Sequence, residues 1–331
     1  MALSPLRRQT TEFLEYCEIE KNKSPKTIKN YDHYLGRFLG FAAERGVSKA
    51  DDIDLNFVRS YRMFLNRLQD ERGKPLKIIT QNYHVIALRA FLKYLAKNDV
   101  KTLAAEKIEL PKNPAREVGI LEPRELEQII KATEHESQEM NRLRDRAILL
   151  TLFSSGVRVS ELASLKIRAV NLDRGEFTIR GKGDKLRLTF LSPDAIDAIK
   201  LYLKKRHDNN PAMFVSHSRI GNSIERAMSG YSGKVYENDA REKPMGLTPR
   251  SIQRIVHRYA MLAGVMKKVT PHTLRHSFAT DLLQNGADIR SVQTLLGHSS
   301  ITTTQIYTHI TNQGLRDIHK KFHNSPPHHN K

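Results

Sequence analysis

A serine or threonine followed by proline recurs along this chain, each time ahead of a segment with helical spacing. Four such pairs are Ser24-Pro25, Ser192-Pro193, Thr248-Pro249 and Thr270-Pro271. A hydroxyl at the N-cap accepts a hydrogen bond from an amide of the first turn, and proline at the next position has its backbone angle already set for a helix. Each pair therefore predicts a helix start, and together they favour a mainly helical protein.

Apolar residues at helical spacing support this prediction and extend it to other segments. Further helices are expected over residues 54–68, 80–96, 122–133 and 142–153. The one clear strand signal is a pair of short β-rich runs, residues 177–180 and 186–190. Between them lies Gly-Lys-Gly-Asp-Lys, which predicts a hairpin with its tip at the glycines. The expected fold is thus mainly α with a small β-hairpin or sheet.

A segment with two prolines, one glycine and no helical period, residues 108–120, indicates an extended linker. We expect a helical domain over residues 1–107 and a second, mostly helical domain over residues 121–323. Glycine, serine and charged residues predominate in residues 216–245, which predicts a long surface loop. Residues 324–331 are expected to form a disordered tail.

The charge balance indicates a polyanionic partner. The 331 residues include 55 Lys and Arg against 36 Asp and Glu, a net charge of +19. Clustered positive charge gains free energy by displacing counterions from phosphates, so nucleic acid is favoured over an acidic membrane surface. Both predicted domains carry a net positive charge, which suits a protein that binds its partner with two domains. A uniformly basic cytosolic protein is the alternative.

Several classes of protein are excluded by composition. The only cysteine, Cys17, excludes an intrachain disulfide and a multi-cysteine zinc site. No apolar run approaches the ~20 residues that span a bilayer. The charged residues between Met1 and Cys17 argue against a secretory signal. We therefore expect a cytoplasmic protein without membrane contact.

The helix predicted after Thr270-Pro271 carries His272 and Arg275, which lie three residues apart and so on one face. The N-terminus of a helix also offers unpaired N–H groups and partial positive charge to a phosphate oxygen. Alone, this pattern is a weak signal and favours an ordinary exposed helix face. His272 and His276 have a spacing that zinc sites use, but no third ligand follows in a recognisable pattern, and we predict no metal.

Four further residues complete an ordered set: Arg158 in GVRVSEL, Lys182 in GKGDK, His298 in LLGHSS and Tyr307 in ITTTQIYTH. With these motifs the chain resembles the tyrosine recombinases, the phage-integrase-like site-specific DNA recombinases, and among them the Xer-type chromosomal recombinases. The resemblance covers nearly the whole chain. It implies an N-terminal SAM-like core-binding domain and a catalytic domain that together form a C-shaped DNA clamp.

The resemblance implies that Tyr307 is the nucleophile. Its attack on a scissile phosphodiester would give a 3′-phosphotyrosyl link and release a 5′-hydroxyl, to which Lys182 would supply the proton. Because one phosphodiester is exchanged for another of similar energy, no cofactor and no metal are expected. The sequence contains neither a Walker loop nor an acidic cluster for magnesium.

The same resemblance assigns roles around the phosphate. Arg158 and Arg275 would contact its non-bridging oxygens by bidentate hydrogen bonds. His272 would act as a base toward the tyrosine or as a hydrogen-bond partner of the phosphate, and His298 would donate to a phosphate oxygen. Glu161, one turn after Arg158, would either hold that arginine in place or be an ordinary surface glutamate.

The implied partner is double-stranded DNA with a short inverted-repeat core site, synapsed by a tetramer. Residues 313–323 predict a last helix with Leu315, Ile318 and Phe322 on one face. In relatives such a helix docks onto a neighbouring subunit, whereas packing within its own chain is the alternative. A second related recombinase and a DNA translocase are left open as further partners.

Two departures bear on the biological role. Residues 216–245 are longer than the matching segment of compact Xer-type proteins, so this loop could contact DNA, another subunit or a regulator. The additional arm-binding domain that many phage integrases carry ahead of the helical domain is missing, which favours chromosome dimer resolution over DNA integration. A type IB topoisomerase and a non-catalytic DNA-binding protein of the same fold remain as alternative functions.

Overall fold

The computed structural model of this chain describes residues 4–69, 73–110, 119–180, 186–217 and 246–297. Its internal contacts divide the chain into two compact units, Met1–Arg116 and Glu117–Lys331, each with its own apolar core. This division falls inside the segment that we predict to be the linker. The finer domain limits stay a prediction, because most of that segment lies outside the described residues.

The first unit is helical. Its helices are α1 Pro5–Ile19, α2 Pro25–Ala43, α3 Leu55–Arg67 and α4 Ile78–Lys97. Aromatic side chains hold them together: the ring of Phe13 lies 5.7 Å from Phe91, and the ring of Tyr61 lies 5.1 Å from Phe38 and 5.2 Å from Phe41. Such pairs contribute beyond the area they bury. Of the four α-helices in the described part of this unit, three match predicted starts to within a few residues.

Helix α1 is missing from our prediction, although its start carries the same signal as the others. Ser4 is its N-cap and accepts a hydrogen bond from the amide of Arg7, and Pro5 is its first residue. The side chains buried along it recur at helical spacing, namely Leu6, Thr10, Phe13 and Cys17. Interleaved charges make this stripe hard to recognise in the sequence.

The second unit surrounds a small sheet with helices. The α-helices among its described residues are α5 Pro123–Lys131, α6 Glu139–Ser155, α7 Val159–Ala163, α8 Pro193–Lys205, α9 Pro249–Leu262, α10 Pro271–Gln284 and α11 Ile289–Leu296. The antiparallel sheet has the order β1-β2-β3, with β1 Val170–Asn171, β2 Glu176–Arg180 and β3 Leu186–Phe190. The mainly helical fold with a small sheet is confirmed. The two predicted strands pair with Ile179 opposite Arg187, and β1 is an addition.

Helix α6 lies in the core of this unit, where it packs against both α8 and α10. It also carries a buried ion pair: Arg144 Nη2 lies 2.7 Å from Asp145 Oδ1, and the hydroxyl of Tyr259 donates to Asp145 Oδ2 over 2.9 Å. Because these polar groups satisfy each other, they can be buried at moderate cost. The firmly packed helix ends at Ser155, directly before the GVRVSEL motif, whose first residue, Gly156, is its C-cap.

Gly156 is the point where three elements meet. Its φ of +59° is in the left-handed region that favours glycine. A Cβ there would lie 2.3 Å from Phe278 Cδ1 on α10 and 3.2 Å from Leu296 Cδ2 on α11. The close approach of α10 and α11 to the end of α6 therefore requires a residue without a side chain.

We expect Gly156→Ala to lower the free energy of unfolding by about 2–5 kcal/mol, the sum of a left-handed backbone cost and an overpacking cost. Gly264→Ala is the matched control, since Gly264 has a similar φ of +71° but no atom within 4 Å of a Cβ. The control should lose only the backbone part of the free energy of unfolding, about 1–2 kcal/mol. Urea unfolding of the full chain measures both, and equal losses would contradict the steric argument.

Candidate active site

Arg158 is the N-cap residue of α7, and Glu161 stands in the first turn of that helix. The carboxylate of Glu161 accepts from the backbone N of Arg158 at 2.7 Å and from its Nη1 at 2.9 Å. Arg158 Nη2 donates to the carbonyl of Gly297 at 3.3 Å. The side chain of Glu161 is only 8% exposed, so it is not a surface glutamate. Of the two alternatives left open for Glu161, the structure therefore shows the contact with Arg158.

Glu161 has a second arginine partner that our sequence prediction missed. Arg187 on β3 donates from Nη1 to Oε1 at 2.9 Å and from Nη2 to Oε2 at 2.7 Å. Burial by itself raises the pKa of Glu161, but hydrogen bonds from Arg187 and Arg158 outweigh burial and bring the pKa below its ordinary value of 4.5. Glu161 is therefore a carboxylate at neutral pH.

Arg275 lies on α10 and is 5% exposed. Its Nη1 donates to the carbonyl of Gly156 at 2.5 Å and its Nη2 to the carbonyl of Leu296 at 2.6 Å. Gly156 is two residues before Arg158, and Leu296 precedes the glycine whose carbonyl Arg158 contacts. Both arginines thus join the turn between α6 and α7 to the end of α11, and the structure brings their side chains into one region.

His272 stands in the first turn of α10, which Thr270 caps by accepting from the amide of Thr273 at 3.2 Å. Partial burial is the largest effect that lowers the pKa of His272 from its ordinary 6.5, and the positive charges of Arg275 and Arg158 lower it further. The imidazole is therefore mainly neutral at pH 7, although the residue as a whole is exposed to solvent. A neutral imidazole beside two arginines can accept a proton.

His276, one turn further along α10, is also kept neutral. Burial, followed by the charges of His272 and Arg275, lowers the pKa of His276 to about 4. Among the residues that the structure describes, no group of three or more His, Cys, Asp or Glu side chains is placed to hold a metal ion. Across the same described ranges, no helix combines the length and apolarity needed to cross a membrane.

Three of the six predicted site residues, Lys182, His298 and Tyr307, lie outside the described residues. The same is true of the predicted last helix, residues 313–323, and of most of the predicted loop, residues 216–245. Their roles stay predictions. In the sequence, Lys182 belongs to the five residues that connect β2 to β3, and His298 directly follows Gly297.

The start of the second unit is fixed to the helix that carries His272 and Arg275. The amide of Leu121 donates to Ser277 Oγ on α10 at 2.9 Å. Lys267 Nζ donates to the carbonyl of Ile120 at 2.6 Å and lies 2.6 Å from Glu125 Oε2. The segment just before α5 is therefore a part of the packing around α10.

The described site presents two guanidinium groups and a neutral imidazole around one junction of the chain. Guanidinium groups bind the non-bridging oxygens of a phosphate with two parallel hydrogen bonds and neutralise its charge. An adjacent neutral imidazole can take a proton from a hydroxyl that attacks such a phosphate. This arrangement is suited to reactions at a phosphodiester.

Family comparisons agree with this chemistry. Residues 120–313 match the model of the phage integrase family, and residues 10–99 match that of the phage integrase N-terminal SAM-like domain. The tyrosine recombinase XerC of Pelobacter propionicus is 35% identical over 324 residues, which cover 97% of this chain and 97% of that protein. The tyrosine recombinase XerA of Pyrococcus furiosus is 36% identical over 307 residues, with 92% of this chain and 91% of that protein covered.

Among solved structures, the XerH site-specific recombinase bound to a palindromic difH substrate has the same fold. It aligns with a TM-score of 0.66 at 24% sequence identity, over 93% of this chain and 83% of that chain. Both family models and both curated relatives therefore lead to the same assignment. The chain belongs to the phage integrase family and, within it, to the Xer-type tyrosine recombinases, which cleave and rejoin DNA.

Proposed function

We propose that this protein is a site-specific recombinase in which the phenolic oxygen of Tyr307 attacks the scissile phosphorus. A phosphorus–oxygen bond to the tyrosine forms as the bond to the 5′-oxygen breaks, which leaves a 3′-phosphotyrosyl link and a 5′-hydroxyl. His272 takes the phenolic proton, and Lys182 gives a proton to the leaving 5′-oxygen. Rejoining runs the same steps in reverse with the 5′-hydroxyl of a partner strand.

One observation carries this proposal: Arg158 and Arg275 both connect the turn between α6 and α7 to the end of α11, beside a neutral His272. Two fixed guanidinium groups stabilise the charge that builds on the equatorial oxygens in the transition state. In our proposal His298, the residue after Gly297, adds a further hydrogen bond to the phosphate. The step exchanges one phosphodiester for another and consumes no cofactor.

The proposed substrate is double-stranded DNA with a short inverted-repeat core site, on which four copies synapse two sites. Support comes from the net charge of +19 and from the similarity to XerC and XerA over almost the whole chain. The relative XerH is bound to a palindromic substrate in its solved structure. Within this class we favour resolution of chromosome dimers as the biological role.

A nicked suicide substrate tests the chemistry. DNA selected by its retention on the purified protein supplies the core site, and a nick next to the scissile phosphate lets the 5′-hydroxyl fragment diffuse away. We expect a covalent protein–DNA adduct on a denaturing gel, also in the presence of EDTA. If no adduct forms on DNA that the protein binds specifically, the protein is a DNA-binding protein without this reaction.

A plasmid with two core sites separates recombination from topoisomerase activity. A recombinase converts it into products with exchanged flanks, whereas a type IB topoisomerase only relaxes its supercoils. We expect recombined product. Relaxation without exchange would favour the topoisomerase alternative.

The lowered pKa of His272 predicts the pH dependence of cleavage. If the neutral imidazole is the active form, the single-turnover rate should be constant around pH 7 and fall only below the ordinary value of 6.5. The sign follows from the loss of the base when the ring takes up a proton. His272→Gln should lower the rate and remove this acidic limb. A limb with its midpoint above 6.5 would contradict the lowering of the pKa of His272 by burial and by the two arginines.

A further inference from the structure

Arg187 on β3 is absent from the proposed catalytic set but is closely connected to it. We propose that Arg187 is a positioning residue for DNA cleavage, which acts through Glu161 to keep Arg158 directed at the scissile phosphate. This inference rests on the proposed function, because it concerns the orientation of a phosphate-binding arginine. It assigns Arg187 no contact with DNA.

The carboxylate of Glu161 is shared evenly between two arginines. Oε1 accepts from Nη1 of Arg158 and Nη1 of Arg187, each at 2.9 Å. Oε2 accepts from the backbone N of Arg158 and from Nη2 of Arg187, each at 2.7 Å. Arg187 makes the two parallel hydrogen bonds of a bidentate pair, whereas the guanidinium of Arg158 makes only one.

The distribution of the Glu161 hydrogen bonds between the two arginines determines how the guanidinium of Arg158 is oriented. With one edge of the carboxylate taken by Arg187, Arg158 contributes Nη1 to Glu161 and directs Nη2 at the carbonyl of Gly297. That contact, at 3.3 Å, is longer than usual for N–H···O and can be exchanged for a phosphate oxygen at little cost. Without Arg187, the buried carboxylate would draw Arg158 into a bidentate pair and turn it away from DNA.

Burial supports a geometric role for Arg187 over a purely stabilising one. The side chains of Arg187 and Glu161 are 9% and 8% exposed, and within the described ranges Arg187 Nε has no hydrogen-bond partner. A buried ion pair contributes little net stability compared with apolar residues of the same volume, and an unpaired buried N–H adds a cost. The ion pair of Arg187 and Glu161 instead fixes the direction of Arg158, which bonds to the same carboxylate.

Arg187 also lies against the chain segment that leads to His298. A Cβ built on Gly297 would lie 3.0 Å from Arg187 Cδ and 3.2 Å from its Nη1. Gly297 supplies the carbonyl that Arg158 contacts, so Arg187 supports both the carboxylate and the carbonyl to which Arg158 is bonded. Loss of Arg187 would therefore disturb both partners of Arg158 at once.

Single-turnover cleavage of the suicide substrate at saturating protein tests this inference. We expect Arg187→Met to slow cleavage about 100-fold, the effect of a small misplacement of a catalytic group, with unchanged DNA affinity. Arg187→Lys keeps the positive charge but not the two parallel hydrogen bonds to Glu161, so its cleavage rate should fall less than that of Arg187→Met. Arg174→Met is the matched control, since Arg174 lies in the turn between β1 and β2, is 76% exposed and pairs with Glu176 at 3.7 Å. It should cleave at the wild-type rate.

Two further measurements separate positioning from a general loss of structure. Because Arg187 acts through Arg158, the double variant Arg158→Lys/Arg187→Met should be hardly slower than Arg158→Lys alone. A substrate with a neutral methylphosphonate at the scissile position needs less charge neutralisation, so the deficit of Arg187→Met should shrink on it. A merely unfolded fraction would lower the cleavage of both substrates by the same factor.

A cleavage rate of Arg187→Met within twofold of wild type would overturn the inference. It would also be overturned if the rate losses of the two single variants add up in the double variant and the rate loss of Arg187→Met is the same on the methylphosphonate substrate. If Arg187→Met does not fold by circular dichroism, Arg187→Lys is judged by the same double variant and the same substrate pair. Failure of the proposed function itself gives a different result, because the wild-type protein would then form no adduct.

Discussion

Replacement of Tyr307 by phenylalanine is expected to abolish the covalent adduct while specific DNA binding is retained. Phenylalanine keeps the ring but lacks the oxygen that bonds to phosphorus, so no alternative group can complete the step. Removal of a nucleophile lowers rates by on the order of 10⁴-fold or more, which places the variant below detection in a gel assay. Binding is measured in parallel by mobility shift.

The structure narrows the choice of nucleophile among the five tyrosines of the second unit. Tyr202 and Tyr259 are fully buried, and burial raises the pKa of both phenols. The hydroxyl of Tyr259 is bonded to Asp145, and that of Tyr202 lies 2.8 Å from His217 Nε2. Neither hydroxyl can reach a DNA phosphate.

Tyr231 and Tyr236, which lie outside the described residues, supply matched controls for Tyr307. Both Tyr231→Phe and Tyr236→Phe make the same chemical change in the same unit, and both should form the adduct at the wild-type level. Loss of the adduct in either control, together with its persistence in Tyr307→Phe, would show that the nucleophile is assigned wrongly.

Arg275→Lys is expected to slow cleavage about 10³-fold, at the upper end of the effect of losing one preorganised donor to a transition-state oxygen. Lysine keeps the charge, but its single ammonium cannot span the carbonyls of Gly156 and Leu296. A carbonyl left unpaired in the interior costs about 1–3 kcal/mol, so the variant should also unfold at a lower temperature. The rate is therefore measured below that temperature.

Arg206→Lys is the control that separates the two effects. Arg206 is also a buried arginine, and it donates to the carbonyl of Ala212 at 2.6 Å and to Asp208 at 2.6 and 2.5 Å. Its lysine variant should lose stability without a change in the cleavage rate of the folded protein. If folded Arg275→Lys cleaves as fast as wild type, Arg275 has no part in the reaction.

The helices of this protein are predictable because their starts depend on local contacts. Ser192 and Thr248 each accept from an amide three residues later, as the Ser/Thr-Pro pairs indicate. The pairing of β2 with β3 follows from the two short runs and the glycines between them. Strand β1, Val170–Asn171, has only two residues, and no sequence pattern distinguishes so short a segment from a loop.

The site is predictable as a set of residue types, but its supporting contacts are not. His272 and Arg275 share a helix face, and that much follows from their spacing. The contact between Glu161 and Arg187 joins residues 26 positions apart through the fold, and an arginine in a strand usually indicates a solvated face. The burial of Arg275 against two carbonyls depends on how α10 meets α6 and α11, which no local pattern contains.

The hydrogen bonds at Ile120 and Leu121 set a practical limit on how the chain can be divided. A fragment that begins at helix α5 would lose the amide that binds Ser277 and the carbonyl that binds Lys267. Ser277 on α10 would then lose the donor to its hydroxyl, and Lys267, just ahead of that helix, would lose its carbonyl acceptor. An excised catalytic fragment should therefore start ahead of Ile120, so that Ile120 and Leu121 keep their hydrogen bonds to Lys267 and to Ser277 on α10.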